Sequence, residues 1–212
     1  TNGAASQVTL DTLAYQAGST PDFLASFSSR GPGVGNVLKP DITAPGVNIL
    51  AQGYGQGTGE DRHLGFGQVS GTSTASPHVA GSAALLRQIH PTWSNAAIKS
   101  ALMSTTKYMG VWNHDDSHAQ PLDMGAGRLD LTNAADPGVI LDPPSLSFGQ
   151  VVTGTVEQMN VTVTSVATGT ETYDLSAVYV GGTYPTPTVS TPAYFTVSPV
   201  SVTLPAGGTA TI

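Results

Sequence analysis

One stretch constrains the rest of the chain: Gly71-Thr72-Ser73-Thr74-Ala75-Ser76-Pro77-His78-Val79-Ala80-Gly81. A Gly/Ser/Thr turn runs straight into small and apolar residues that continue to Ile89. The pattern predicts a tight turn feeding a helix, with Ser73 at the join. A helix N-terminus carries unpaired N–H groups and the positive end of the helix dipole, so negative charge is favoured there. Such a place suits a nucleophile whose attack creates an oxyanion beside it. The same pattern also fits a buried helix with a Ser/Thr cap and no chemistry, because Ser is common at helix starts.

Each residue of the turn carries an expectation. Gly71 is expected to supply a backbone angle closed to other residues and to let a substrate approach closely. Thr72 is a candidate N-cap, and its hydroxyl could instead face the oxyanion site. Pro77 has no N–H, so the Ser73 carbonyl loses its usual partner and an irregular helix start is expected. No polar face appears until Arg87 and Gln88. A helix apolar nearly all round is expected to be central and buried.

The string closely resembles the nucleophile motif of the subtilisin-like serine proteases (subtilases), Gly-Thr-Ser-Met-Ala-Ser/Thr-Pro-His-Val-Ala-Gly. Only Thr74 departs, standing where that family usually has Met. The exchange removes an oxidisable thioether beside the nucleophile. The full enzyme is therefore predicted to survive peroxide better than its Thr74→Met variant; equal inactivation of the two would contradict this. Two further stretches are similar to the same family: Phe27-Ser28-Ser29-Arg30-Gly31-Pro32, and the run from Leu38 through Asp41-Ile42-Thr43-Ala44-Pro45-Gly46 to Ala51. They are most similar to members with a protease-associated domain inserted before the final third of the catalytic domain. The resemblance implies that the family's catalytic Asp and His lie upstream of residue 1.

Other tempting residues fit the chemistry less well. Asp41 sits in a Pro-flanked loop and reads as an Asx-type acceptor of loop N–H groups, with Arg30 as a candidate ion partner for it or for another loop acid. His63 is ten residues before Ser73, but nothing around it resembles the family's Gly-His-Gly-Thr. His78 follows Ser73 by five residues on the same helix, about 500° of rotation, and points away from it. Residues 52–70 read either as a wall of the substrate cleft or as a surface hairpin, ending in a short strand at Gln68-Val69-Ser70.

Composition narrows the classes. The 212 residues hold 39% hydrophobic and only 10% charged residues, with 25 Gly and 15 Pro, so a packed but turn-rich chain is expected. A net charge of −7 argues against a nucleic-acid partner. No apolar run is long enough to span a membrane. The absence of cysteine excludes disulfides and thiolate metal sites. Thr1 is not a natural start, and the chain reads as a piece of a longer protein.

Three regions are expected. Residues 1–24 form a lead-in segment after an upstream, protease-associated domain, with a short strand at Gln7-Val8-Thr9-Leu10. Residues 25–142 form the C-terminal part of the catalytic domain, opening on a strand at 23–28. His90-Pro91 ends the long helix. Ser94 or Asn95 caps a second helix, whose apolar stripe is Ala97, Ile98, Ala101 and Leu102. Residues 107–123 read as a polar loop in which His114-Asp115-Asp116-Ser117-His118 is either solvated or cation-binding. Gly125-Ala126-Gly127-Arg128-Leu129-Asp130-Leu131 and Ala134-Ala135 resemble the family's last turn and short helix.

Past Asp142-Pro143-Pro144 the texture changes to short alternating strands. Met159, Val161 and Val163 form one apolar set, and Tyr173, Leu175, Ala177 and Tyr179 another. Residues 143–212 are expected to be a β-sandwich, resembling the fibronectin-III-like or immunoglobulin-like modules of large subtilases. The sequence ends inside a strand-like run, which implies a missing last strand. Asn160-Val161-Thr162 is a glycosylation sequon by pattern.

The fold class expected is α/β, the carboxyl third of a three-layer domain with a mostly parallel sheet, followed by an all-β sandwich. The resemblance implies a secreted serine endopeptidase working through an acyl-enzyme. Ser73 is the nucleophile, the Ser73 backbone and Thr72 support the oxyanion, and Ser70 and Gly71 belong to the substrate cleft. The chain is expected to be inactive alone. Its partners are a protein or peptide substrate and the upstream part of the same polypeptide. No cofactor or metal ligand is assigned; structural calcium is compatible with the resemblance but falls on no particular residue. The alternative is a secreted, non-catalytic binding module with a remnant subtilase part. An upstream Asp-Thr/Ser-Gly and Gly-His-Gly-Thr would separate the two.

Overall fold

The computed structural model describes residues 20–54, 64–177 and 195–212. The strand expected at Gln7–Leu10, the loop residues Glu60 to His63, and Tyr179 lie outside the described residues.

The long helix α1 runs from Thr72 to Ile89 and α2 from Asn95 to Ser104. Ser94 caps α2, its side chain accepting a hydrogen bond from the Ala97 N–H at 3.1 Å. The predicted stripe turns inward: Ile98, Ala101 and Leu102 are buried, together with Ser100 and Met103. Leu86 from α1, Leu129 and Ala134 complete this core. A second, smaller core gathers Val111, Ala119 and Met124. Two short helices follow, α3 at Pro121–Met124 and α4 at Leu131–Ala134, the latter capped by the Asp130 side chain accepting from Asn133 N–H.

The strands differ from expectation. Among the described residues they pair antiparallel: β1 (Ile49–Tyr54) with β2 (Leu64–Val69), β3 (Val139–Asp142) with β4 (Thr162–Ser165), β4 with β7 (Thr209–Thr211), and β5 (Glu171–Asp174) with β6 (Ser201–Leu204). Parallel pairing is confined to single bridges, Phe23 with Trp112 and Thr43 with Arg128. A parallel strand needs a neighbour reached by a crossover of a dozen or more residues, and no such βαβ unit lies among the described residues. The expected strand at 23–28 reduces to the Phe23 bridge, where Leu24 N–H bonds to Trp112 O at 2.7 Å.

The helix α1 also departs from expectation. It buries only Ser82 and Leu86. Leu85 and Ile89 remain 52% and 55% exposed. The apolar circumference expected to be central and buried is left largely uncovered among the described residues. By contrast α2 packs on β3 and α1, and Ser100 Oγ accepts from Leu141 N–H at 2.7 Å.

In the C-terminal region the alternation on β4 holds in part. Val161, Val163 and Ser165 are buried, whereas Met159 is exposed because pairing begins only at Val161, which exchanges backbone bonds with Ile212. Strand β3 joins the region expected to be catalytic to the strands that follow, through its register Val139–Ser165 to Asp142–Thr162. The Tyr173 hydroxyl donates to Gly138 O at 3.2 Å, tying β5 to the same junction.

Candidate active site

The turn before α1 is held by a loop twenty-odd residues upstream. Gly71 N–H donates to Gly46 O at 2.8 Å, and Asn48 N–H donates to Ser70 Oγ at 2.8 Å. The two segments approach so closely that a Cβ on Gly46 would stand 2.8 Å from Gly71 O. Gly46 is thus a residue that the motif alone did not single out. The signal for it was the Ala44-Pro45-Gly46 turn.

The roles at the helix start are redistributed. Gly71, not Thr72, is the N-cap, and it makes no side-chain cap because it has none; Thr72 is the first helical residue. Gly71 has φ 162 and ψ 161, an extended conformation open to any residue. What requires glycine there is space: a Cβ would lie 3.0 Å from Ser73 Oγ. The helix runs through Pro77 without a break. Only the hydrogen bond from residue 77 to the Ser73 carbonyl is forgone, so the irregular start is not seen.

Ser73 is the second residue of α1 and is exposed. Its backbone N–H is one of the first four of the helix, which have no acceptor within it. Hydroxyl, free N–H and helix dipole therefore converge at one point. No histidine among the described residues bonds to Ser73. His78 Nδ1 donates to Thr74 O at 2.9 Å. A carbonyl can only accept, so the Nδ1 nitrogen carries the proton. His90 Nε2 donates to Ala135 O at 2.8 Å, its ring stacked on Trp93. The His118 ring meets Trp112 at a tilt of 36°, centroids 3.8 Å apart. His63 lies outside the described residues.

Beside the turn opens a cavity of about 1230 Å³. Gly71, Thr72, Ala75 and Val79 form one wall; segments 20–29 and 40–47 form the other. Two ion-pair knots hold that second wall. Asp22 binds Lys107 at 2.5 Å and Arg128. Burial raises the Asp22 pKa, but the hydrogen bond from Lys107 and the charges of Arg128 and Lys107 outweigh it, leaving the carboxyl below its ordinary 3.8. Asp41 receives Lys39 at 2.8 Å and Lys99 at 3.1 Å. Burial again raises its pKa and the two lysines bring it below the usual value. Asp41 thus takes lysines rather than loop N–H groups, and of the two partners open to Arg30 the structure has the other acid, Asp123, at 3.2 Å. Behind Asp41, Gly125 must be glycine: φ is +66 and a Cβ would meet Pro40 O at 2.4 Å.

The loop at 107–123 is more ordered than a polar loop. Trp112 bridges to His118, and the Asp115 carboxylate accepts from both Ser117 Oγ (2.6 Å) and Ser117 N–H (3.2 Å). The Ser117 hydroxyl and then its N–H hold the Asp115 carboxyl below the usual range. Among the described residues no group of three His, Cys, Asp or Glu comes together to hold a metal ion. The Asp115 carboxylate is already used by Ser117.

An exposed serine on the first turn of a helix, with a glycine beneath its hydroxyl and a free N–H at its own backbone, is suited to acyl transfer. A model of the subtilase family matches residues 3–139, and the chain belongs to that family. It is 42% identical over 139 residues to the subtilisin-like protease SBT5.5 of Arabidopsis thaliana, covering 60% of this chain and 17% of that protein. It is 38% identical over 166 residues to SBT4.14 of the same plant, covering 75% and 22%. A third relative there, SBT1.7, is 47% identical over 133 residues, covering 56% and 17%. The chain thus spans about a fifth of the length of these relatives.

Proposed function

We propose that this chain is the carboxyl part of the catalytic domain of a serine endopeptidase, and that Ser73 is its nucleophile. The observation that carries the reading is the placement of Ser73: exposed on the first turn of α1, over Gly71, inside the motif Gly71 to Gly81. Ser73 Oγ attacks the scissile carbonyl carbon. Its proton passes to a histidine upstream of this chain, which an upstream aspartate orients, and then to the leaving amine as the C–N bond breaks. Water repeats the sequence on the acyl-enzyme. The Ser73 N–H receives the oxyanion, Thr72 stands next to it, and Ser70 and Gly71 line the approach.

The uncovered apolar side chains of α1 and the wide cavity beside it support a second part of the reading. Upstream polypeptide covers them, bringing the other triad members and a protease-associated domain. Residues 1–24 then lead in from that domain, and 25–142 belong to the catalytic domain. Residues 143–212 are a fibronectin-III-like or immunoglobulin-like module; the buried alternation of Val161, Val163 and Ser165 and the antiparallel pairing support a sandwich. Family resemblance favours secretion. No helix among the described residues is long and apolar enough to cross a membrane.

The test is hydrolysis of fluorogenic peptides by the full-length protein and its Ser73→Ala variant. The full-length protein is expected to cleave, and the variant to lose at least about 10⁴-fold in kcat. Unchanged turnover in Ser73→Ala would overturn the assignment.

A further inference from the structure

We propose that Thr74 is a positioning residue for the nucleophile turn, a role that rests on the reading of Ser73 as nucleophile. Thr74 is where this chain departs from the motif it otherwise matches. A thioether at that position offers no proton; a hydroxyl does. Thr74 Oγ1 lies 2.7 Å from Gly71 O and 3.1 Å from Gly46 O. These are the two carbonyls at the crossing where the turn meets the upstream loop. Gly71 N–H already donates to Gly46 O at 2.8 Å, and the single Thr74 hydroxyl proton, shared between the two carbonyls with Gly71 O the nearer, adds a second link across that crossing.

The residue is held from its other side as well. Its carbonyl accepts the His78 Nδ1 proton at 2.9 Å. Its own N–H and that of Ala75 point to Gly71 O at 3.1 and 3.3 Å. The residue immediately after Ser73 is therefore fixed by side chain, amide and carbonyl together. Ser73 has no side-chain partner of its own among the described residues, so its direction follows from its neighbours. A Cβ on Gly71 would stand 3.0 Å from Ser73 Oγ, so a shift of the Gly71–Gly46 crossing moves backbone that lies close to that hydroxyl. Thr74 touches neither substrate nor reacting atom in this account; it acts through Gly71.

Removing the hydroxyl leaves Gly71 O two amide donors, so no buried acceptor is orphaned and the fold is expected to persist. What is lost is the tie to Gly46. In the full-length protein, Thr74→Val is expected to lower kcat and the rate of fluorophosphonate labelling at Ser73 by about three- to tenfold, the scale of one net hydrogen bond. KM and the thermal midpoint stay at the wild-type values, and Thr74→Ser restores the rate. Wild-type kcat in Thr74→Val, or Thr74→Ser as slow as Thr74→Val, overturns the proposal. If Thr74→Val does not fold, Thr74→Ala removes the hydroxyl without adding an apolar branch, and the same outcomes apply. A wild-type protein that neither cleaves nor labels overturns the nucleophile reading itself, and this proposal with it.

Discussion

Helices α1 and α2 are both rich in alanine, leucine and isoleucine, and they meet different fates. The ten residues of α2 bury five side chains; the eighteen of α1 bury two. The partners of α2 are local: α1 before it, α4 after it, and β3 a few turns of chain further on. Helix α1 meets α2 through Leu86, while half of the Leu85 and Ile89 surface stays open among the described residues. Hydrophobic periodicity thus reports that a face wants cover. It does not report whether the cover comes from the same stretch of chain.

The sharpest way to break this comparison is at the one large α1 side chain that is covered. Leu86 is fully buried against Ile98 and Leu102. Leu86→Ala should cost about 2–5 kcal/mol of unfolding free energy, by denaturant titration, whether measured in this chain or in the full-length protein. Ser100→Ala tests the other helix. It strips the acceptor from Leu141 N–H at a fully buried site, and a loss of about 1–3 kcal/mol is expected.

Leu85→Ala sharpens the contrast. In this chain it should cost less than about 1 kcal/mol, because much of the side chain is already in water. In the full-length protein the cost should rise toward that of Leu86→Ala. An equal, small cost in both would mean that α1 stays uncovered.

The smallest effect concerns the wall opposite α1. Asp22 has its pKa lowered on folding, so its contribution is present above the unfolded value near 3.8 and lost as pH falls through the folded value. Because Lys107 and Arg128 are partly solvated, Asp22→Asn should cost at most about 1 kcal/mol at pH 7. The wild-type and variant curves should converge as pH falls through the folded value and Asp22 becomes protonated. A difference that persists once Asp22 is protonated would place the effect in packing rather than charge.

The features legible in the sequence were local ones. The Ser94 cap, the stripe of α2 and the helix starting at the Ser73 motif each depend on residues within a turn or two. The β4 alternation was also readable, because strand period depends on neighbours. What could not be read depends on distant pairs. Thr72 looked like the cap because hydroxyls usually cap; here the crossing with Gly46 occupies that point, and Gly71 takes the place. Asp41 looked like a loop acceptor, yet Lys99, 58 residues away, reaches it. The parallel sheet was expected from resemblance, and the described strands pair antiparallel. The motif marked Ser73 as the candidate nucleophile, but spacing could not supply partners for it, since a triad is assembled by topology.

The central claim is that Ser73 is a nucleophile whose site is completed by polypeptide outside this chain. Fluorophosphonate labelling of Ser73, read by mass spectrometry in this chain and in the full-length protein, tests it most directly. Labelling in the full-length protein alone is the predicted result. No labelling in either, with the full-length protein shown to be folded, would contradict the claim.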